Sequence, residues 1–202
     1  YFLPVLVDAL AKQAPSVTLQ VVSVTHPALK DDMASGRIDL ALGLLPQLQA
    51  GFFQQALFRQ PYVCLMRTGH PLVGKTRLSL KSLAAAEHVH VQAAGTGHGR
   101  VDAALAAQGL QRRFRLTVPH YVALGDVLGH SDLIATVPER FALRVAKPFG
   151  LSLRPLPIAI EGSVIHQFWH GRLHRDPGHQ WLRALVVRLF ADGRKAGAER
   201  AA

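Results

Sequence analysis

Residues 35–43 have the sequence SGRIDLALG, in which a Ser-Gly pair is followed by a short apolar run. Gly36 is typical of the end of a helix, so we expect a short helix to stop there. The apolar run at residues 38–42 predicts a buried strand, and the β-rich residues 17–24 predict another strand upstream. Strand, helix and strand in this order indicate a βαβ unit and a parallel sheet.

The same alternation of strands and helices continues along the 202 residues of the chain. Breaks near residues 68–71 and 155–157 divide the chain into an outer lobe, residues 1–67 and 160–202, and an inner lobe, residues 68–159. Because both ends of the chain build the outer lobe, two strands must cross between the lobes, as in hinged binding proteins. Ligands of open α/β sheets bind at the carboxyl ends of the strands, so we expect the ligand in the cleft between the lobes.

The composition limits the classes of function. The formal net charge is +10, but the basic residues are scattered and the densest cluster, residues 112–115, is short, so we do not expect this segment to bind DNA directly. The single cysteine, Cys64, excludes an intramolecular disulfide, and its apolar neighbours predict an inert core thiol. Since no apolar run approaches the ~18 residues that span a bilayer, we expect no membrane contact and a cytoplasmic location.

Three segments resemble the effector-binding domain of LysR-type transcriptional regulators. They are residues 35–43 with their G-x-x-D-x-A-L pattern, His70-Pro71-Leu72 after a strand, and residues 133–138 with the sequence LIATVP. Further segments resemble the subgroup that senses salicylate-like and nitroaromatic acids. These are residues 44–46, 51–53, 95–99, 118–121, 168–170, 176–178 and 181–183.

The resemblance implies a fold, a ligand and partners. The fold is α/β, a two-lobed type-2 periplasmic-binding-protein-like fold with two crossover strands that form a hinge. The ligand is a small effector, an aromatic acid, and the assembly is a homodimer or homotetramer. DNA is contacted only through an N-terminal winged helix-turn-helix, and one further strand precedes Tyr1. The alternative is a solute-binding protein of a transporter.

The segment 95–99, GTGHG, precedes a predicted helix and is the best candidate ligand site. Glycines let a ligand approach the backbone, and the free N–H groups and the dipole at a helix N-terminus favour an anion. With the family resemblance, we expect Gly95, Thr96, Gly97 and His98 to bind the effector. The alternative is a plain turn with Thr96 as the N-cap.

Other candidates follow the predicted strands. His120 could donate to a carboxylate or could be a surface or capping histidine, and Tyr121 could stack on an aromatic ring or simply pack. Phe168 could contact the ligand or belong to the core. Thr25, Leu44 and Pro138 also follow strand ends and could line the cleft.

Eleven histidines raise the question of a metal site. His166, His170 and His174 are spaced four apart, but this segment reads better as a strand, and no Glu or Cys completes a ligand set. There is no Gly-x-Ser-x-Gly elbow and no paired acidic motif. We therefore expect no metal, no cofactor and no catalytic residues, and a binding module rather than an enzyme.

Overall fold

A computed structural model of the chain describes residues 2–23, 27–74, 77–92, 99–158 and 162–192. The helices are α1 (Phe2–Gln13), α2 (Leu29–Ser35), α3 (Leu80–Ala85), α4 (Gly99–Ala106), α5 (Leu124–Gly129), α6 (Glu139–Ala146) and α7 (Pro177–Phe190). The strands are β1 (Ala41–Gly43), β2 (Phe52–Gln60), β3 (Tyr62–Arg67), β4 (Glu87–Val91), β5 (Arg113–Val118), β6 (Ala135–Pro138), β7 (Leu151–Pro155) and β8 (Ser163–His170). Among the described helices, none has the length and apolar character required to cross a membrane.

The chain forms two α/β units. Unit 1 consists of Tyr1–Arg59 and Val164–Ala202, and unit 2 of Gln60–Ser163. The chain passes from one unit to the other at the end of β2 and at the start of β8. The first change of unit comes earlier than the predicted boundary after residue 67, because β3 pairs with β6 and β7 and so belongs to unit 2.

Unit 1 is built from the two ends of the chain. Its sheet has the order β1-β8-β2, and β1 runs antiparallel to β8. One core lies between α1 and α7, where Leu6 and Leu10 pack with Leu185 and Phe190. Leu6 and Leu10 are four residues apart, as are Val186 and Phe190 of the same core, and this helical spacing is typical of two amphipathic helices.

Residues 35–43, which we call the signature segment, end helix α2 and lead into strand β1. Gly36 has a φ of +83°, the left-handed region that favours glycine. The backbone N–H groups of Arg37 and Ile38 both donate to the Asp32 carbonyl oxygen, at 2.8 and 3.1 Å. Arg172 packs against Gly36 where a Cβ would stand and donates to the Ser35 carbonyl oxygen at 2.7 Å. The first residues of this segment, 35–38, therefore have a structural role, because they end helix α2.

The predicted strand at residues 17–24 is wrong over its described part, residues 17–23, which have no regular secondary structure. Val17 and Val21 keep 52% and 59% of their surface exposed. This stretch belongs to none of the described β-ladders, so its β propensity alone does not make it a strand. The βαβ unit predicted there is therefore absent from the described residues, and β1 pairs antiparallel with β8.

Unit 2 contains strands in the order β5-β4-β6-β3-β7. Strand β3 runs antiparallel to β6 and β7, and β4 runs parallel to β5. A parallel bridge between His88 and Ile134 joins β4 to the start of β6. Helices α5 and α6 cover one face of these strands, and α3 and α4 cover the other. Cys64 is buried on the α3 and α4 face, and burial raises the pKa of its thiol to about 12, as expected of an inert core thiol.

Candidate functional site

The carboxyl ends of three parallel strands lie at one edge of unit 2. Val91 pairs with Val118 at the ends of β4 and β5, and the Gln92 N–H donates to the Val118 carbonyl oxygen at 2.9 Å. On the other side of β4, the Val89 N–H donates to the Ile134 carbonyl oxygen at 2.9 Å, just before β6. The segments that follow these three strands therefore begin at the same edge, which we call the carboxyl edge of unit 2.

Three of the predicted site residues come to this edge. His120 and Tyr121 follow β5, and Pro138 ends β6 and caps α6. His120 is exposed, whereas Tyr121 is half-buried with its ring 4.7 Å from that of Phe141. The ring contact of Tyr121 favours the packing alternative for this residue, and His120 keeps its side chain available to a ligand.

The glycine-rich candidates Gly95, Thr96, Gly97 and His98 lie outside the described residues. The structure does describe the helix that was predicted to follow them. Helix α4 begins at Gly99, and its Val101 and Leu105 are fully buried beneath it on the strands. Gly109, with a φ of +67°, ends the turn after α4.

The remaining candidates belong to unit 1. Leu44 follows β1 and is half-buried. Phe168 pairs with Ala41 and is only 3% exposed in a core with Met33 and Leu45, which favours the core alternative. Thr25 lies outside the described residues.

A buried polar network in unit 1 was missed by the sequence analysis. The His179 Nε2–H donates to the Asp39 carbonyl oxygen at 2.8 Å, and its Nδ1 accepts from Arg183 Nη1 at 2.6 Å. The Arg183 guanidinium also donates to the carbonyl oxygens of Leu173 and His174, and it lies 4.4 Å from the Trp169 ring centre. Burial lowers the pKa of His179, which fits the neutral ring that this pattern requires. Helix α7 is thereby joined to the signature segment.

Two arginines of the densest basic cluster, residues 112–115, contact acidic residues of unit 2. The Arg112 side chain is 2% exposed, forms an ion pair with Asp102 at 2.6 Å and lies 4.9 Å from the Phe114 ring centre. Arg113 is 3.6 Å from Glu87. Within this cluster, Arg112 is therefore held inside unit 2, whereas Arg113 remains largely exposed.

The histidine series does not form a helical face. His166 and His170 lie in β8, as predicted, and His174 follows a 3-10 turn at Gly171–Leu173. The His174 ring stacks on Phe53 at 4.1 Å and accepts from Trp169 Nε1 at 3.3 Å. In the part of the chain that the structure describes, no group of three or more His, Cys, Asp or Glu could hold a metal ion.

A second polar group missed from the sequence is Thr136, in the middle of β6. Its side chain is buried, and its hydroxyl has no hydrogen-bond partner among the described residues. The sequence pattern could have indicated this residue, because Thr136 carries the single hydroxyl within the otherwise apolar residues 133–137, LIATV. It is also close to the predicted site residue Pro138.

Comparisons with known proteins agree with this architecture. A family model described as LysR substrate binding domain matches residues 1–191. The HTH-type transcriptional activator NagR of Ralstonia sp is 50% identical over 192 residues, which cover 95% of this chain and 64% of NagR. The HTH-type transcriptional activator NahR of Pseudomonas putida is 45% identical over the same length, with the same coverage of 95% and 64%. The chain therefore spans just under two thirds of the length of these relatives.

A solved structure gives the same result for the fold. The regulatory domain of MexT, a transcriptional activator in Pseudomonas aeruginosa, superposes with a TM-score of 0.81 at 28% identity, covering 93% of this chain and 92% of that domain. The two-lobed periplasmic-binding-protein-like fold predicted from the sequence is thereby confirmed. With a family model that matches nearly the whole chain and relatives at 50% and 45% identity, this chain belongs to the LysR substrate-binding domain family.

Proposed function

We propose that this chain is the effector-sensing domain of a LysR-type transcriptional activator, and that its effector is a small aromatic carboxylic acid. The observation that carries the proposal is the carboxyl edge of unit 2, where His120 follows β5 and is exposed. The start of an eight-residue helix offers free N–H groups and a positive dipole end to a carboxylate. The resemblance to the subgroup that senses salicylate-like acids supports an aromatic ring on that carboxylate.

The relatives support a proposal for the rest of the protein's activity. NagR and NahR are named HTH-type transcriptional activators, so we propose that DNA is contacted through a separate helix-turn-helix domain and not through this chain. The effector would act by its different affinity for two arrangements of the protein, typically ~1–3 kcal/mol per coupled site. We propose a regulator in the cytoplasm without catalytic activity, and the solute-binding alternative is not favoured by these relatives.

We also propose a homodimer or homotetramer. Helix α1 leaves Leu3 and Val7 largely exposed, and the neighbouring residues 17–22 add Val17, Leu19, Val21 and Val22. Such an accumulation of exposed apolar side chains is typical of a surface that a partner covers, and a second copy of this chain is the partner we propose.

A thermal-shift screen tests the effector class. Salicylate and benzoate are expected to raise the melting temperature, because a ligand at about 100 times its dissociation constant stabilises the folded state by about 2.7 kcal/mol. Neutral sugars and cationic amino acids of similar size are the controls and are expected to leave it unchanged. A screen in which sugars or cations stabilise the chain, and aromatic acids do not, contradicts the proposed anion site.

His120 is expected to donate to the carboxylate of the effector. Replacing His120 with alanine should weaken binding of salicylate by roughly 1–3 kcal/mol, the range for losing a hydrogen bond to a charged group. The melting temperature of the ligand-free protein should hardly change, because the side chain is exposed. Calorimetric titration of both proteins measures the loss, and His130→Ala, another exposed histidine of unit 2, is the matched control. Unchanged affinity in His120→Ala removes this residue from the site.

A further inference from the structure

A pocket of about 390 Å³ lies in unit 1 between strand β2 and helix α7, and it is open to solvent on its outer side. Sites that hold small organic molecules typically begin at about 300 Å³. One wall is a face of α7 and the other is formed by β2, and the lining residues are Gln55, Gln180, Arg183, Ala184, Val187 and Arg188. All of these residues are described and belong to unit 1.

A buried amide fixes the orientation of Gln55 in this pocket. Gln167 of β8 is fully buried, and its Nε2 lies 2.8 Å from the Gln55 side-chain oxygen and 3.3 Å from the Arg183 carbonyl oxygen. Because a carbonyl oxygen only accepts, the Gln167 group that faces Arg183 must be the NH2 group, and the Gln55 atom that it also meets must be Oε1. The Nε2 group of Gln55 therefore keeps both of its N–H donors, which have no partner among the described residues.

The charged residues that line this pocket are basic. Arg188 is exposed, and its contact with Gln13 Oε1 is long, at 3.4 Å, so its guanidinium can turn to a ligand. Arg183 adds a second positive charge, although its guanidinium already donates to two backbone carbonyl oxygens. Ala184 and Val187 add an apolar wall, and none of the lining residues is acidic. Free N–H donors beside an arginine and an apolar wall suit a carboxylate that carries an apolar group.

We propose that this pocket of unit 1 is a second ligand site, which binds a small carboxylate through Arg188 and the Nε2 group of Gln55. The apolar part of the molecule packs on Ala184 and Val187. This inference goes beyond the proposed function and does not depend on it, because His120 belongs to unit 2 and every residue of the pocket to unit 1. A carboxylate that binds here stabilises the folded state of unit 1 by mass action.

The test uses benzoate as the probe and NMR signals of the pocket as the readout. The side-chain amide of Gln55 and the methyl groups of Val187 are expected to shift saturably with benzoate, but not with benzamide, which has the same ring without the charge. Gln55→Glu keeps an acceptor for Gln167 but replaces the Nε2 donor with a negative oxygen, so benzoate binding measured at Val187 should weaken about tenfold or more. Arg188→Met should weaken it about tenfold, because the cation is lost.

The matched control is Gln54→Glu, which makes the same change of charge at the neighbouring residue of β2, whose side chain points to the other face of the sheet. It should bind benzoate like the wild type. An equal loss in Gln54→Glu and Gln55→Glu, or equal shifts with benzamide, overturns the proposed carboxylate site. If benzoate shifts signals around His120 but none at Val187, the second site fails while the proposed function stands. Shifts at Val187 without any around His120 give the opposite result.

Discussion

Replacing Arg183 with methionine is expected to destabilise unit 1 by about 3 kcal/mol or more. Methionine keeps most of the apolar stem of the side chain but supplies no donor. The buried Nδ1 of His179 and the partly buried carbonyl oxygens of Leu173 and His174 would then lose their partner. The contact with the Trp169 ring would lose its cation as well.

Urea denaturation followed by tryptophan fluorescence measures this loss. The matched control is Arg188→Met on the same helix, since Arg188 is exposed and contacts Gln13 only at 3.4 Å. We expect a change below about 0.5 kcal/mol for the control. If the two variants lose the same stability, the network around Arg183 does not stabilise α7 in the way that its hydrogen bonds indicate.

Lowering the pH from 7 to 4.5 is expected to destabilise the chain by about 2–3 kcal/mol through His88 alone. Burial is the main cause that lowers the pKa of His88 from 6.5 to about 4, with the nearby Arg112 acting in the same direction. The ring is completely buried, and its Nε2–H donates to the Leu83 carbonyl oxygen at 2.8 Å. The unfolded chain takes up the proton below pH 6.5 and the folded chain does not, so stability is lost between about pH 6.5 and 4.

Unfolding free energies at pH 7, 5.5 and 4.5 measure this effect. His88→Gln removes the titrating group and keeps a donor for Leu83, so its stability should depend less steeply on pH. Some dependence of the same sign should remain, because burial also lowers the pKa of His179. His130→Gln, at an exposed position, should behave like the wild type. Identical pH profiles for wild type and His88→Gln rule out His88 as the source.

Most elements of both units were predictable because their signals are local. The apolar stripe of α7 and the turn glycines Gly36 and Gly109 depend on periodicity or on φ, which neighbouring residues determine. Residues 17–23 show the limit of such reasoning. Their composition favours a strand, but a strand also requires a neighbouring strand to pair with. No local sequence pattern shows whether such a neighbour is present.

The candidate site was predictable only in part. Strand order places His120 and Pro138 at one edge, and the sequence indicates this because both follow predicted strands. The contacts of Arg183, by contrast, join α7 to residues far away along the chain, including the signature segment through His179 and Asp39. Thr136 could be seen as a hydroxyl in an apolar strand, but its lack of a partner depends on packing from three other elements. Sequence reasoning therefore locates the edge better than it predicts how the surrounding side chains pack.

The construction of unit 1 from two distant segments has a consequence for the order of events during synthesis. Residues 60–163 form a continuous unit and can fold as soon as they leave the ribosome, whereas α1 packs against α7, which is made after them. At about 5–20 residues per second, the apolar face of α1 waits on the order of ten seconds for its partner. During that interval the nascent chain exposes Leu6 and Leu10, which makes α1 a natural binding segment for a chaperone.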